Sequence, residues 1–293
     1  LYAGRARLAT VLVEKGFTGG QAATTDRIEN YPGFPDGISG PDLMERLTEQ
    51  AKRLEVEFRT AEARALRPEG DRWRLDTDGE PVSARAVIIA TGARSKPLGV
   101  PGEERLAGKG VSYCATCDGA LFRDRRVHVI GGGDSAVVEA LFLTRFAASV
   151  TLVHRRNELR ATRVLQEELL RHPKVRVAWA AQVAAIEGDS GVEAVRLRYR
   201  DGREEREETD GVFVYVGYEP NTGWLGGAFP LDERGYLLTD DRLRLPEAGA
   251  LAAGDVRRKG LRQIVTAVAD GAVAAVEARE YLTRPGYAWG GTE

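Results

Sequence analysis

The only two cysteines of this 293-residue chain, Cys114 and Cys117, stand in one Cys-x-x-Cys. A disulfide between them closes too short a loop to stabilise a fold much, because the entropy removed from the unfolded chain grows with loop length. Its more natural use is reversible storage of two electrons. If the segment starts a helix, the dipole lowers a thiol pKa, and the thiolate is the nucleophile of thiol–disulfide exchange. Asp118, the next residue, is placed to give or take the proton that exchange requires. Two readings compete with this one. A zinc half-site would need two more ligands, and the only histidines, His128, His154 and His172, lack metal-site spacing. A buried, inert pair is the plainer alternative.

A second constellation follows at once. Arg126 to Ile130 is a short β-branched run ending in Gly131, Gly132, Gly133, Asp134, Ser135 and Ala136; Val137 to Phe146 has helical apolar spacing, and Ser149 to Val153 is a second strand. Strand, glycine turn, helix, strand is the context a dinucleotide fingerprint needs. Gly131 and Gly133 let the backbone turn and approach a pyrophosphate, Ala136 lets helix and strand pack closely, and the helix N-terminus offers unpaired N–H groups. Past the second strand stand His154, Arg155 and Arg156, with Arg160 beyond. An acid there would select NAD through the ribose 2′-hydroxyl, whereas this cationic group favours a 2′-phosphate and hence NADPH. A solvated basic face is the bland alternative.

Around these sites the sequence predicts two α/β units. Leu1 to Arg7 reads as the end of a helix and Ala9 to Val13 as the strand after it, with Glu14 where a Rossmann unit places its ribose-holding acid. The chain therefore opens inside a βαβ unit, and about twenty residues of first strand and glycine turn are expected before Leu1. A helix is predicted from Pro41 to Leu54, strands near 73–77, 86–90, 175–177, 192–199 and 211–216, and a small-residue-rich helix over 263–281. Crossovers are placed near Gly92–Lys96 and Gly217–Thr222, so that one domain interrupts another. Hydrophobic residues make up 43% and net charge is −2, which fits a globular protein with real cores and gives no sign of nucleic acid. No apolar run approaches the ~20 residues of a membrane span, and the chain reads as cytoplasmic.

These residues closely resemble the low-molecular-weight thioredoxin reductase family, over nearly the whole chain and in family order. The matching stretches are Gly19-Gly-Gln21, Ile28-Glu29-Asn30-Tyr-Pro-Gly33, Ala90-Thr91-Gly92, Cys114-Ala-Thr-Cys117-Asp118-Gly119, Gly131 to Ala136, His154-Arg155-Arg156 with Arg160, Gly217 with Pro220-Asn-Thr222, and Gly254-Asp255-Val256 with Arg262-Gln263. The resemblance implies two Rossmann-like domains, with an NADPH domain (residues 96–221) inserted into a FAD domain (1–95 and 222–293). It also implies FAD beside NADPH, a homodimer, and electron flow from nicotinamide to flavin to disulfide to thioredoxin. By the same analogy Cys117 lies against the flavin, Cys114 attacks the partner's disulfide and Asp118 exchanges the proton. Glu14, Gly20, Gln21, Asn30, Thr91, Asp255, Arg262 and Gln263 would line the FAD site, and Gly131, Gly133, Asp134, Ser135, His154, Arg155, Arg156 and Arg160 the NADPH site. Ordinary turn chemistry is the bland reading of Asn30 and Thr91.

The family's first glycine fingerprint, which holds the FAD pyrophosphate, has no counterpart in these residues. Competing functions are a flavin reductase of ferredoxin or a peroxiredoxin-type system, and a non-enzymatic NADPH-binding redox sensor. The cysteine pair counts against the ferredoxin reading.

Overall fold

A computed structural model describes residues 1–25, 28 and 30–290; Glu29, within one matching stretch, lies outside them. The chain forms two compact units, residues 1–94 with 219–293, and 95–218.

In the first unit, α1 (Tyr2–Arg5) leads to β1 (Val11–Glu14), α2 (Gly40–Lys52) and β2 (Glu57–Thr60), with β1 and β2 parallel. Ser39 caps α2, its Oγ accepting from the Asp42 N–H at 3.1 Å with Pro41 in the first turn, the arrangement that satisfies free helix N–H groups. A meander of β3 (Ala63–Glu69), β4 (Arg72–Thr77) and β5 (Val82–Ala84) follows, then β6 (Val87–Ile89) and β7 (Ala93–Ser95), which carries the chain out.

The second unit holds β8 (Val111–Ser112), α3 (Ala115–Asp118), β9 (Arg126–Gly131), α4 (Asp134–Leu143), β10 (Ser149–His154), α5 (Arg163–Arg171) and β11 (Val175–Trp179). An antiparallel sheet of β12 (Ala181–Glu187), β13 (Ala194–Tyr199) and β14 (Glu204–Glu208) comes next, before β15 (Gly211–Tyr215). Five of these strands make one parallel sheet in the order β11, β10, β9, β15, β8. Its central strands bury both faces, so Val127, Val129, Val150, Leu152 and Phe213 are inaccessible and pack with Val137, Ala140 and Leu143 of α4. That is why these strands read as continuous apolar runs. The register pairs Phe213 with Ser112 and Tyr215 with Gly131. The cysteine segment and the glycine turn thus leave the same carboxyl edge of one sheet, where open α/β sheets bind their ligands.

Via β16 (Tyr218–Pro220) the chain re-enters the first unit, where β17 (Ala250–Ala252) runs parallel to β6. The closing helix α6 (Ile264–Thr283) starts at Gln263, which forms a reciprocal capping box with Thr266. Its alanines let it lie close to the sheet: Ala274, Ala275 and Ala278 are buried.

Several expectations needed adjusting. The helix over 41–54 ends at Lys52, because Glu55 takes a left-handed φ of 60°. The opening helix stops at Arg5 and the strand after it spans Val11–Glu14, with Glu14 at the strand's end as expected. The structure also adds elements the reading passed over, notably α5 and β14. The latter carries Glu204, Glu205, Arg206, Glu207 and Glu208 in sequence, a composition that hides a strand.

Candidate active site

Three anchors hold the segment that bears the cysteines. Cys114 and Cys117 form a disulfide with Cα atoms 5.3 Å apart. Cys114 caps α3, and its Sγ accepts the Cys117 N–H at 3.1 Å. A thiolate at that sulfur would receive the same N–H, which favours the charged form. From the preceding strand, the Ser112 hydroxyl accepts the Cys114 N–H at 3.0 Å and donates to Asp118 Oδ2 at 2.7 Å. From β15, the Tyr215 hydroxyl accepts the Ala115 N–H at 2.7 Å. Burial pushes the Tyr215 phenol up, and Glu139 adds to the effect, so it stays a neutral hydroxyl at working pH. The third anchor is Tyr113, whose hydroxyl donates to Glu103 at 2.7 Å. That buried carboxylate also collects the Leu98 and Gly99 N–H groups at 2.8 and 2.7 Å, so its charge is matched by donors. Cys117 is exposed and Cys114 half-buried.

The glycine turn is built for close approach. A Cβ on Gly131 would lie 2.5 Å from the Tyr215 carbonyl and 2.6 Å from the Ala136 methyl; one on Gly132 would strike the His154 ring at 2.2 Å. At Gly133 a Cβ would meet nothing within 4 Å, and no side chain caps α4. The α4 N-terminus is thus uncapped beside open space at Gly133, the cradle a pyrophosphate would fill. Ser135 is exposed in the first turn of α4, with its Oγ 3.4 Å from the Tyr218 hydroxyl.

The basic loop is tied to that turn by backbone. The Gly132 carbonyl accepts the Arg160 N–H at 2.7 Å, and Asp134 Oδ1 accepts the Thr162 N–H at 2.7 Å. Arg155, Arg156 and Arg160 are exposed beside it. His154, expected among the cofactor's contacts, turns inward instead. Its ring is buried, packs on Gly132 and pairs through Nε2 with the Glu158 carbonyl at 3.0 Å. Burial holds its pKa below the ordinary histidine value, and Arg160 and Arg156 push the same way. A neutral, buried imidazole braces the loop and supplies no charge for a 2′-phosphate. Asp134 likewise spends one oxygen on the loop.

In the other unit the expected flavin residues fall into three groups. At the end of β1, Glu14 Oε1 accepts the Gly16 N–H at 3.0 Å. Gly20 opens a 3-10 turn, and Gln21 within it donates from Nε2 to the Ala93 carbonyl. Thr91 and Asn221 bind each other reciprocally at 2.9 Å, and Asn30 Nδ2 donates to Gln263 Oε1 at 2.9 Å. These pairs tie segments far apart in the chain to one another, across 130 residues for Thr91 and Asn221 and 233 for Asn30 and Gln263.

Asp255 and Arg262 differ. Asp255 Oδ1 and Arg262 Nε are buried with no hydrogen-bond partner, a cost that a folded chain rarely leaves uncompensated. Burial pushes the Asp255 carboxyl above its usual range, against the pull of Lys259 and Arg262. Its neighbour Asp270 is the opposite case. Burial raises it, but hydrogen bonds from Arg257 and Lys259 outweigh burial and hold it low. Asp270 receives the Gly254 N–H at 3.0 Å and Lys259 Nζ at 2.7 Å, and so fixes the turn that carries Asp255. Sequence reading missed Asp270; its signal was an acid inside an otherwise apolar helical stretch. The Arg262 guanidinium itself lies over the Tyr236 ring, 4.0 Å from its centroid, so the hydrogen-bonding capacity left over is that of Asp255 Oδ1 and Arg262 Nε, which a ligand rich in hydroxyl and carbonyl groups, as FAD is, could satisfy.

Comparison with known proteins follows the same lines. A family model described as pyridine nucleotide-disulphide oxidoreductase matches residues 1–271. The chain is 46% identical over 285 residues to a thioredoxin reductase of Listeria innocua, covering 96% of this chain and 89% of the relative. The chain belongs to the thioredoxin reductase family. A thioredoxin reductase of Peptoclostridium litorale is 43% identical over 299 residues, 96% of this chain and 92% of that one. The crystal structure of Lactococcus lactis thioredoxin reductase (FR conformation) superposes with a TM-score of 0.94 at 41% identity, covering 96% of this chain and 93% of that one. The fold is accordingly α/β with two Rossmann-like domains, and the chain is a FAD- and NADPH-dependent oxidoreductase of the thioredoxin reductase type. These relatives do not favour the ferredoxin, peroxiredoxin-system or redox-sensor readings. Among the described residues no helix is long and apolar enough to cross a membrane.

Proposed function

We propose that the chain transfers electrons from NADPH through FAD to its Cys114–Cys117 disulfide, and from there to the disulfide of thioredoxin. The observation that carries this reading is a disulfide and an open glycine cradle on the carboxyl edge of one sheet, with Ser112 and Tyr215 bracing the disulfide segment from the strands beneath. Residues 95–218 are the NADPH domain and the remainder the FAD domain. Gly131, Gly133, Ser135 and the N-terminus of α4 would hold the pyrophosphate, and Arg155, Arg156 and Arg160 the 2′-phosphate. Glu14, Gly20, Gln21, Asp255 and Arg262 would hold FAD, with Asn30, Thr91 and Gln263 shaping its walls. Bound FAD supplies the conversion of a nicotinamide hydride into an electron pair that the disulfide can accept.

On the protein side, two electrons break the S–S bond. Asp118 gives one proton, which leaves a Cys114 thiol, a Cys117 thiolate and an ionised Asp118. When the partner binds, Asp118 retakes that proton. The Cys114 thiolate attacks the partner disulfide, and Asp118 protonates the partner thiolate expelled. The Cys117 thiolate then attacks the Cys114 sulfur, restores the enzyme disulfide and releases the second partner thiolate; solvent protonates that thiolate and returns a proton to Asp118. The sum is NADPH, one proton and oxidised thioredoxin giving NADP⁺ and reduced thioredoxin. Assignment of Cys114 as nucleophile rests on the Cys117 N–H that its sulfur accepts.

We further infer a cytoplasmic homodimer. A chain whose only cysteines form a redox pair suits a reducing compartment, and the exposed Val265, Val268 and Val276 of α6 offer an apolar face. The test of the cofactor assignment is a visible spectrum of the protein with FAD, taken without oxygen before and after NADPH. A bound flavin that bleaches is expected. A protein that takes up no flavin, or a flavin that NADPH leaves oxidised, would contradict it.

A further inference from the structure

We propose that Ser112 is a positioning residue for proton transfer, holding the Asp118 carboxylate and the Cys114 backbone in one fixed relation through a single hydroxyl. The inference rests on the reading of Asp118 as the group that exchanges the proton. Ser112 ends β8 in register with Phe213 of β15, and its side chain is buried, with 5% of its surface exposed. A buried hydroxyl has one proton to donate and room to accept. The acceptor role is filled by the Cys114 N–H at 3.0 Å. Its own proton has two acceptors in reach, Asp118 Oδ2 at 2.7 Å and the Cys114 carbonyl at 3.2 Å. The shorter, charge-assisted bond wins while Asp118 is ionised. When Asp118 carries its proton, the carboxyl no longer needs the donor, and the Ser112 hydroxyl can turn to the Cys114 carbonyl.

Two consequences follow from the chemistry. One carboxylate oxygen is tied to Ser112, so proton exchange with sulfur falls to the other. The donated bond also holds the Asp118 carboxyl beside the Cys114 backbone, where it must stand to retake the proton from the Cys114 thiol. Asp118, Glu139 of α4 and Tyr218 all act electrostatically on Tyr215 of β15. Asp118 itself lies one turn past Cys114 and its N–H returns to the Cys114 carbonyl at 3.2 Å, so the hydroxyl closes a ring that already fixes the backbone.

The test compares Ser112→Thr with Ser112→Val, which match in shape and differ in the hydroxyl, in the FAD-loaded enzyme. Ser112→Ala, which adds no volume, stands as the further variant in case branching at this strand position disturbs the fold. Thioredoxin reduction is followed for kcat and KM separately, with Asp118→Asn alongside and flavin reduction by NADPH measured on its own. Ser112→Val and Ser112→Ala should each lose about tenfold in kcat with KM within about twofold of the parent. Ser112→Thr should stay within about twofold of the parent in both, and flavin reduction should be unchanged in all three. A parental kcat in the hydroxyl-free variants, with Asp118→Asn impaired, would overturn this inference alone. A loss confined to KM, or an equal loss in Ser112→Thr, would overturn it equally, since that is what mere support of the loop would give. Unimpaired turnover in Asp118→Asn would remove the reading of Asp118 and this inference with it.

Discussion

Replacing either cysteine by serine is expected to abolish thioredoxin reduction while NADPH still reduces the flavin. A serine hydroxyl cannot form the mixed disulfide that transfers electrons to the partner, so no slower version of the same step remains. Loss should therefore reach about a thousandfold or more, the scale seen when a reacting group itself is removed. The nucleotide loops are separate from the sulfur chemistry: the glycine cradle is set by Gly131, Ala136 and His154, none of which touches the cysteines' bonds. Rapid-mixing absorbance of Cys114→Ser and Cys117→Ser with NADPH should show flavin bleaching at near-parental rate. The two variants should also differ. Only Cys117→Ser keeps the Cys114 sulfur and the backbone N–H that supports it, so it should trap a mixed disulfide with thioredoxin, visible on a non-reducing gel. Near-parental turnover in either variant would remove the mechanism.

The second large effect concerns the choice of nicotinamide cofactor. Replacing Arg155 and Arg156 together by glutamine should shift preference from NADPH toward NADH by about a hundredfold or more. Each charge-assisted bond to a phosphate contributes about 1.5 kcal/mol or more, and two are lost. His154 cannot substitute, because its ring is buried and kept neutral. The measurement is the ratio of kcat/KM for the two cofactors. The affected term should be the one for NADPH, since NADH has no phosphate to lose. An unchanged ratio would place the 2′-phosphate elsewhere, with Arg160 the next residue to examine.

Much of this was readable because several motifs state their mechanism in the residue types themselves. Cys114, Cys117 and the turn from Gly131 to Ala136 are local signals, and the strands beside them are buried on both faces, so their apolar runs stand out. What sequence reading could not supply is the second layer of contacts. Ser112, Tyr215 and Glu103 are ordinary residues whose roles exist only because the parallel sheet brings separated strands into register. Gly132 carries no expected role between Gly131 and Gly133, yet it is the one whose Cβ would strike His154. His154 misled in the opposite direction. A histidine next to two arginines reads as cationic, and only its burial shows that it is not. The charged strand β14 was missed for a related reason: its alternate residues are exposed or half-exposed, so pairing with β13 and not an apolar core sets its conformation. On the flavin side, Asp255 and Arg262 were expected for the family's reason, and the structure adds a physical one in their unpaired buried atoms.

The most direct test of the central claim is a stoichiometric one. NADPH is added in known amounts to the FAD-loaded protein with excess oxidised thioredoxin, without oxygen, and thiols on thioredoxin are counted against NADPH consumed. Two new thioredoxin thiols should appear for each NADPH, because each hydride carries one electron pair and each disulfide accepts one. Consumption of NADPH without new thiols, or thiols that appear equally well in the Cys114→Ser protein, would contradict it.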